Sequence, residues 1–155
     1  DFTSKYYSTP PALIAPSDSD LAATDPGTLE GKTIGAQAST THATFLEDVY
    51  SNSTIKLYGT QDEANLDLAS GRLDAVAADS VVLSEWLKTD DGACCKLLAT
   101  LPIDPVINGE GAGIAIRKDD GDLKEMLNAA ISAILANGKY KEINDKYFEF
   151  DVYGD

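Results

Sequence analysis

Gln37, Ser39, Thr40, Thr41, His42 and Asp79 are side chains of the types that grip small charged molecules. Residues 38–42 read Ala-Ser-Thr-Thr-His and lead straight into a stretch with helical periodicity. Hydroxyls and unpaired backbone N–H groups gather at such a helix start, and that arrangement accepts an anion such as a carboxylate. Asp79 offers the opposite chemistry, a carboxylate for an ammonium group. Held near one another, the two would bind both ends of a zwitterion. Each also has a purely structural use: Ser39, Thr40 or Thr41 can cap the helix that follows, and Asp79 can cap one beginning at Ser80. His42, the single histidine, falls in the first helical turn. Gln37 stands at the end of a strand pattern. Both can line the same crevice or simply sit at the surface.

What would bring these residues together is an alternation of strands and helices. Strand patterns cover 33–37, 54–58, 74–78 and 97–101, with a further short one at 12–15 inside a loop-rich stretch, 10–31. Helical patterns cover 41–50, 61–70 and 80–88, the last with Val82, Leu83, Trp86 and Leu87 on one face. Such alternation predicts an α/β fold, a parallel sheet wrapped by helices. In an open sheet of this kind, ligands bind beyond the carboxyl ends of the strands, where strand order reverses. The loop after residue 37 and Asp79 both fall at such ends, so they should face one crevice. Farther on, residues 111–116 read as a strand. A strongly amphipathic helix follows over 123–136, with Leu123, Met126, Leu127, Ala130, Ile131, Ile134 and Leu135 on one side. Asp122 is the expected cap, with Glu125 three residues on. Asn137–Gly138 ends that helix, and another over 139–147 should turn Tyr140, Ile143 and Tyr147 inward.

Bulk properties narrow the function. The 155 residues carry 26 acidic and 12 basic side chains, a net charge of −14. That surface repels phosphate backbones and anionic lipid, which argues against nucleic-acid or membrane-surface roles. No apolar run approaches the ~20 residues needed to span a bilayer. The chain starts at Asp1 with no leader, as expected if a signal peptide has been removed or the chain begins internally. Cys94 and Cys95 are adjacent, and one histidine with no second cysteine pair makes a poor zinc site. They are either two partly buried thiols or a vicinal disulfide. Residues 109–113, GEGAG, lack the spacing and lysine of a phosphate loop, and no nucleophile is paired with a base, so neither cofactor nor catalytic machinery is expected.

The segments DFTSKYY (1–7), LEGKTIGAQASTTHATF (29–45), GRLDAVAAD (71–79), GAGIAIRKDDGDLKEMLNAAI (111–131), NGKYKEINDKYF (137–148) and FDVYGD (150–155) together resemble one family. It is the lysine/arginine/ornithine, histidine and opine branch of the periplasmic solute-binding proteins, the capture subunits of ABC importers. The resemblance implies a type 2 periplasmic-binding-protein-like α/β fold with a central mostly parallel sheet, the N-terminal part of lobe 1 being absent. Residues 1–8 would be the first hinge crossing, 9–108 ligand-binding lobe 2, and 109–155 the second crossing and C-terminal helices of lobe 1. By the same resemblance, Thr41 meets the ligand α-carboxylate through its N–H and hydroxyl, Asp79 holds the α-ammonium, and Thr40, His42 and Gln37 face the ligand side chain. The family often has Gln at the place of His42 and an apolar residue at that of Gln37. These departures suit a polar or anionic tail, such as an opine or a glutamine-like group, as readily as a cation. The implied partners are an amino acid or opine and the membrane subunits of an ABC transporter, in the periplasm, with hinge closure and no bond chemistry. A cyclohexadienyl-dehydratase-like enzyme using His42 or Asp79, or a receptor sensor domain, are the alternatives. With one lobe largely missing, this chain should bind weakly or not at all, and the exposed face of helix 123–136 should favour self-association.

Overall fold

The computed structural model describes every residue of the chain except Ala23 and Asp155. Its strands are β1 (Phe2–Tyr7), β2 (Pro11–Pro16), β3 (Thr33–Gln37), β4 (Thr54–Tyr58), β5 (Ala75–Asp79), β6 (Cys95–Thr100) and β7 (Ala112–Ala115). Its helices are α1 (Thr41–Val49), α2 (Gln61–Ala69), α3 (Ser80–Trp86), α4 (Pro105–Asn108), α5 (Gly121–Ala136) and α6 (Lys139–Tyr147). They divide into two units, Pro10–Gly109 and the pair Asp1–Thr9 with Glu110–Asp155.

The Pro10–Gly109 unit is built on a five-stranded sheet of order β4-β3-β5-β2-β6. Strand β3 runs parallel to β4 and to β5, with Ile34 opposite Ala75 and Gly35 opposite Val76. Strand β2 runs antiparallel to both β5 and β6. The sheet is therefore mixed rather than purely parallel. The β3-α1-β4-α2-β5 stretch has the crossover helices that parallel pairing requires, whereas β2 emerges from a proline-rich loop with no helix before it. Its side chains from Pro11 to Ala15 are fully covered. The two-residue period of the strand sends Leu13 and Ala15 to one face and Ala12 and Ile14 to the other. The first face packs under Phe45, Leu46 and Tyr50 from α1 and its end; the second packs under Ala64 and Leu68 of α2 and Leu83 of α3. Burying a Leu or Ile this fully contributes about 1.5–3 kcal/mol. Gly35 is there for space: a Cβ on it would lie 2.6 Å from Leu73 Cδ1.

On α3 the sequence expectation fails for Val82, which is 48% exposed while Leu83 is buried. The helix starts at Ser80 and is only two turns long, so a single stripe reaches the sheet. Helix α4 was not legible as a periodic pattern, being one turn; its local signals are Asp104, whose side chain accepts from Val106 N at 2.8 Å, and Pro105 in the first turn.

In the other unit, β1 and β7 form a two-stranded antiparallel ribbon with Phe2 opposite Ala115 and Lys5 opposite Gly113. Helix α5 packs against β1 and α6. It begins two residues earlier than the periodicity suggested: Asp120, not Asp122, stands at the cap position. Asp120 does not cap through its side chain, because Arg117 Nε donates to its Oδ2 at 2.9 Å. Of the apolar stripe, Ile131 is buried but Leu123 and Met126 are exposed. On α6, Ile143 and Tyr147 also face outward, Tyr147 at 70% exposure, contrary to the expectation from spacing. The residue buried there is Asn144, which donates to Phe150 O at 2.8 Å and accepts from Val152 N at 3.0 Å. A two-stranded ribbon offers too little surface to cover both helices, and a polar side chain that ties down the irregular C-terminal segment takes the inward place.

Candidate functional site

The site residues lie at the carboxyl ends of β3 and β5, which are neighbours in the sheet. After Gln37 the chain turns sharply. Ala38 N donates to Tyr58 O at 2.9 Å, and Ser39 adopts φ 60°, the left-handed conformation that non-glycine residues seldom take. Thr40 is then extended and caps α1. Its Oγ1 accepts from Ala43 N at 3.2 Å and donates to Gln37 O at 2.8 Å. Of the three hydroxyl residues that could have capped the helix, Thr40 does so. Thr41 is left as the exposed first residue of α1, with its hydroxyl and its N–H outside the capping arrangement.

Asp79 ends β5 and caps α3. Its Oδ1 accepts from Val81 N at 2.8 Å and from Val82 N at 3.3 Å. Ser80 N donates to Pro10 O at 3.1 Å, which pins the loop between strand and helix. The carboxylate is only partly covered. His42, half-buried in the first turn of α1, feels it: burial lowers the imidazole pKa, and the negative charge of Asp79 acts in the opposite direction. Gln37, Thr40 and His42 are all partly covered, while Thr41 is exposed. The structure thus gathers Gln37, Thr40, Thr41 and His42 around one loop and sets the His42 ring within electrostatic reach of Asp79. What it offers chemically is a helix start with free N–H groups and a hydroxyl, beside a carboxylate and a neutral imidazole.

Two features of the site were not legible in the sequence. Ser39 carries the left-handed turn with no glycine to announce it. Ser80, next to Asp79, is buried with its Oγ lacking a hydrogen-bond partner among the described residues. Among the same residues, no three His, Cys, Asp or Glu side chains come together as a metal site, and no helix is long and apolar enough to cross a membrane. Cys94 and Cys95 are free thiols, the first exposed and the second half-buried.

This strand-end arrangement can be set beside known proteins. A model of the bacterial extracellular solute-binding proteins, family 3, matches residues 1–150. The chain belongs to that family. The L-arginine-binding protein of Pseudomonas aeruginosa is 45% identical to it over 99% of this chain and 60% of its own length. The histidine-binding periplasmic protein of Salmonella typhimurium is 36% identical over the same shares. Among solved structures, an ancestral arginine-binding protein bound to arginine superposes with a TM-score of 0.80 at 29% identity, covering 96% of this chain and 64% of its own. The chain therefore spans about 60% of the length of the curated relatives it matches. These similar proteins carry the names of binding proteins rather than enzymes.

Proposed function

We propose that the Pro10–Gly109 unit is one gripping lobe of an extracytoplasmic solute-binding protein that captures a polar or basic amino acid, of the lysine, arginine, ornithine, histidine or opine kind, for uptake by an ABC transporter. Residues 1–8 and the stretch from 109 onward serve as the crossings to lobe 1 and supply its C-terminal helices. Thr41 N–H and hydroxyl receive the ligand α-carboxylate at the start of α1, and Asp79 receives the α-ammonium. Gln37, Thr40 and His42 line the side-chain end. The observation that carries this reading is the placement of an uncommitted helix start and a carboxylate at adjacent carboxyl strand ends, in a chain of this family.

Capture on this reading is a population shift. A ligand bridging both lobes favours the closed form by its differential contacts and no covalent bond changes. His42 is neutral at pH 7 because burial lowers its pKa, so it adds no second charge beside Asp79. The 155-residue chain offers one side of the grip, and we expect it to bind amino acids weakly or not at all by itself. The exposed Leu123 and Met126 on α5 support self-association of the chain in that form.

A thermal-shift screen tests the reading. The chain is compared with a chimaera in which the Pseudomonas relative supplies the part this chain does not match. Arginine, lysine, ornithine, histidine, glutamine and opines are the ligands. One of them should raise the Tm of the chimaera and leave that of the chain nearly unmoved. Turnover of prephenate or arogenate by the chimaera would instead favour an enzyme.

A further inference from the structure

The adjacent cysteines take no part in the proposed grip. Cys94 ends a 3-10 turn, Asp91–Cys94, and Cys95 opens β6. Neighbouring side chains in a continuous strand point to opposite faces. Here one cysteine sits in a helical turn and the next in extended backbone, so the two side chains are not held to opposite faces; the Cys94 thiol donates to Asp91 O at 3.4 Å, a local bond it can exchange. The backbone around them is fixed. Ser17 N donates to Cys94 O at 2.8 Å, Cys95 N donates to Gly92 O, and Cys95 stands opposite Pro16 in the β2–β6 ladder. The turn packs tightly on the end of α3: a Cβ on Gly92 would lie 2.1 Å from Trp86 O, so only glycine fits there. Both residues border an open groove with Ser17, Asp18 and Ser70, and the exposed Cys94 is within reach of a small soluble reagent.

We infer that Cys94 and Cys95 form a redox modification site, closing to a reversible vicinal disulfide at the expense of low-molecular-weight disulfides. The Cys94 thiolate attacks one sulfur of the reagent RSSR; its S–S bond breaks, RS⁻ leaves and is protonated, and Cys94 carries a mixed disulfide. The deprotonated Cys95 sulfur then attacks the Cys94 sulfur, a Cys94–Cys95 bond forms, and the second RS⁻ departs. Two protein thiols are oxidised by two electrons, RSSR is reduced to two RSH, and the two thiol protons end on those products. The order of events follows from the surroundings. Cys94 is exposed. Burial, the hydrogen bond with Cys94 and the negative charges of Cys94 and Asp18 push the Cys95 thiol up to about 12. The exposed Cys94 is therefore the attacking group and Cys95 the resolving one. A ring across one peptide bond is strained, so the bond is readily reduced again.

The test uses the intact chain equilibrated with mixtures of glutathione and glutathione disulfide, quenched in acid, labelled with a maleimide and cut with trypsin. Cleavage after Lys88 and Lys96 releases residues 89–96, which hold both cysteines. With rising disulfide, that peptide should lose the mass of two hydrogens and take no label, and dithiothreitol should restore two labels. The folded chain should close at least about tenfold more readily than the urea-unfolded chain, because the fold holds the thiols together. The Cys95→Ser variant should stop at a glutathione adduct on Cys94. Accumulation of that adduct in the unaltered chain, Cys94 links between two chains, or equal closure when unfolded would each overturn the inference.

Discussion

The two units differ most in what they do with their apolar side chains. In the Pro10–Gly109 unit both faces of the sheet are covered, and Leu13, Ile14, Ile34, Leu46 and Leu83 lose all contact with water. In the unit formed by Asp1–Thr9 and the C-terminal segment, Ile131 and Val152 are buried, while Met126 and Tyr147 stay 62% and 70% exposed. The first has a sheet wide enough to sandwich between helices. The second has two strands and holds itself together largely by polar ties, such as Asn144 to Phe150 and Val152, and Tyr140 Oη donating to Tyr6 O at 2.7 Å. The residues of the candidate site all grow from the unit whose core is complete, which is the platform a precisely held set of side chains requires.

The sharpest way to break this comparison is to truncate one apolar side chain in each unit, the buried Phe45 and the exposed Met126. Phe45→Ala leaves a cavity under α1 and should cost about 3–5 kcal/mol in urea unfolding, whereas Met126→Ser should change stability by no more than about 0.5 kcal/mol. Equal losses would mean that the α5 stripe is covered in solution; sedimentation equilibrium of the chain, with association weakened by Met126→Ser, would then show by what. Next in size is the site. Asp79→Asn keeps a cap on α3 but removes the charge, and in the ligand-binding chimaera should weaken amino-acid affinity by about 1.5–3 kcal/mol, read by calorimetry. Unchanged affinity would remove Asp79 from the grip.

A smaller effect should come from Ser80→Ala. It removes a buried hydroxyl that has no partner among the described residues, so stability should rise, by about 1 kcal/mol, and a loss of that size would reveal a bond Ser80 does make. The smallest effect is a pH slope from His42. Burial lowers its folded pKa below the ordinary value near 6.5, so the unfolded chain takes up the proton more readily than the folded one. Its contribution is intact above the ordinary histidine range and is lost as pH falls from there towards the folded pKa. His42→Gln should flatten urea-unfolding stability over that window. An unaltered slope would place the ring in a more open environment than its half-buried position indicates.

Much of the architecture was legible. The short strand at 33–37 stands as read, the one at 54–58 as its β-branched alternation indicated, α1 and α2 end within a residue of the reading, and Gly71 closes its turn with φ 72°. Local chemistry is enough there, because cap, period and stop signal agree with one another. The carboxyl-end position of residues 37–42 and of Asp79 was readable on the same grounds. Less of the C-terminal segment was readable. Helical spacing showed that Ile143 and Tyr147 share a face, but could not show that this face lacks a surface to cover it.

What the sequence alone determined, then, is most of the longer elements of the Pro10–Gly109 unit, the chemical types at their ends and the spacing of the apolar positions along each helix. Each depends on neighbours within a turn or two. The tertiary structure decided that β2 runs against the rest of its sheet, that Thr40 and not Ser39 or Thr41 spends its hydroxyl on the cap, and that the His42 ring lies near Asp79. Those outcomes depend on contacts between residues far apart in the chain, where strand order and loop geometry, rather than local periodicity, set which groups meet.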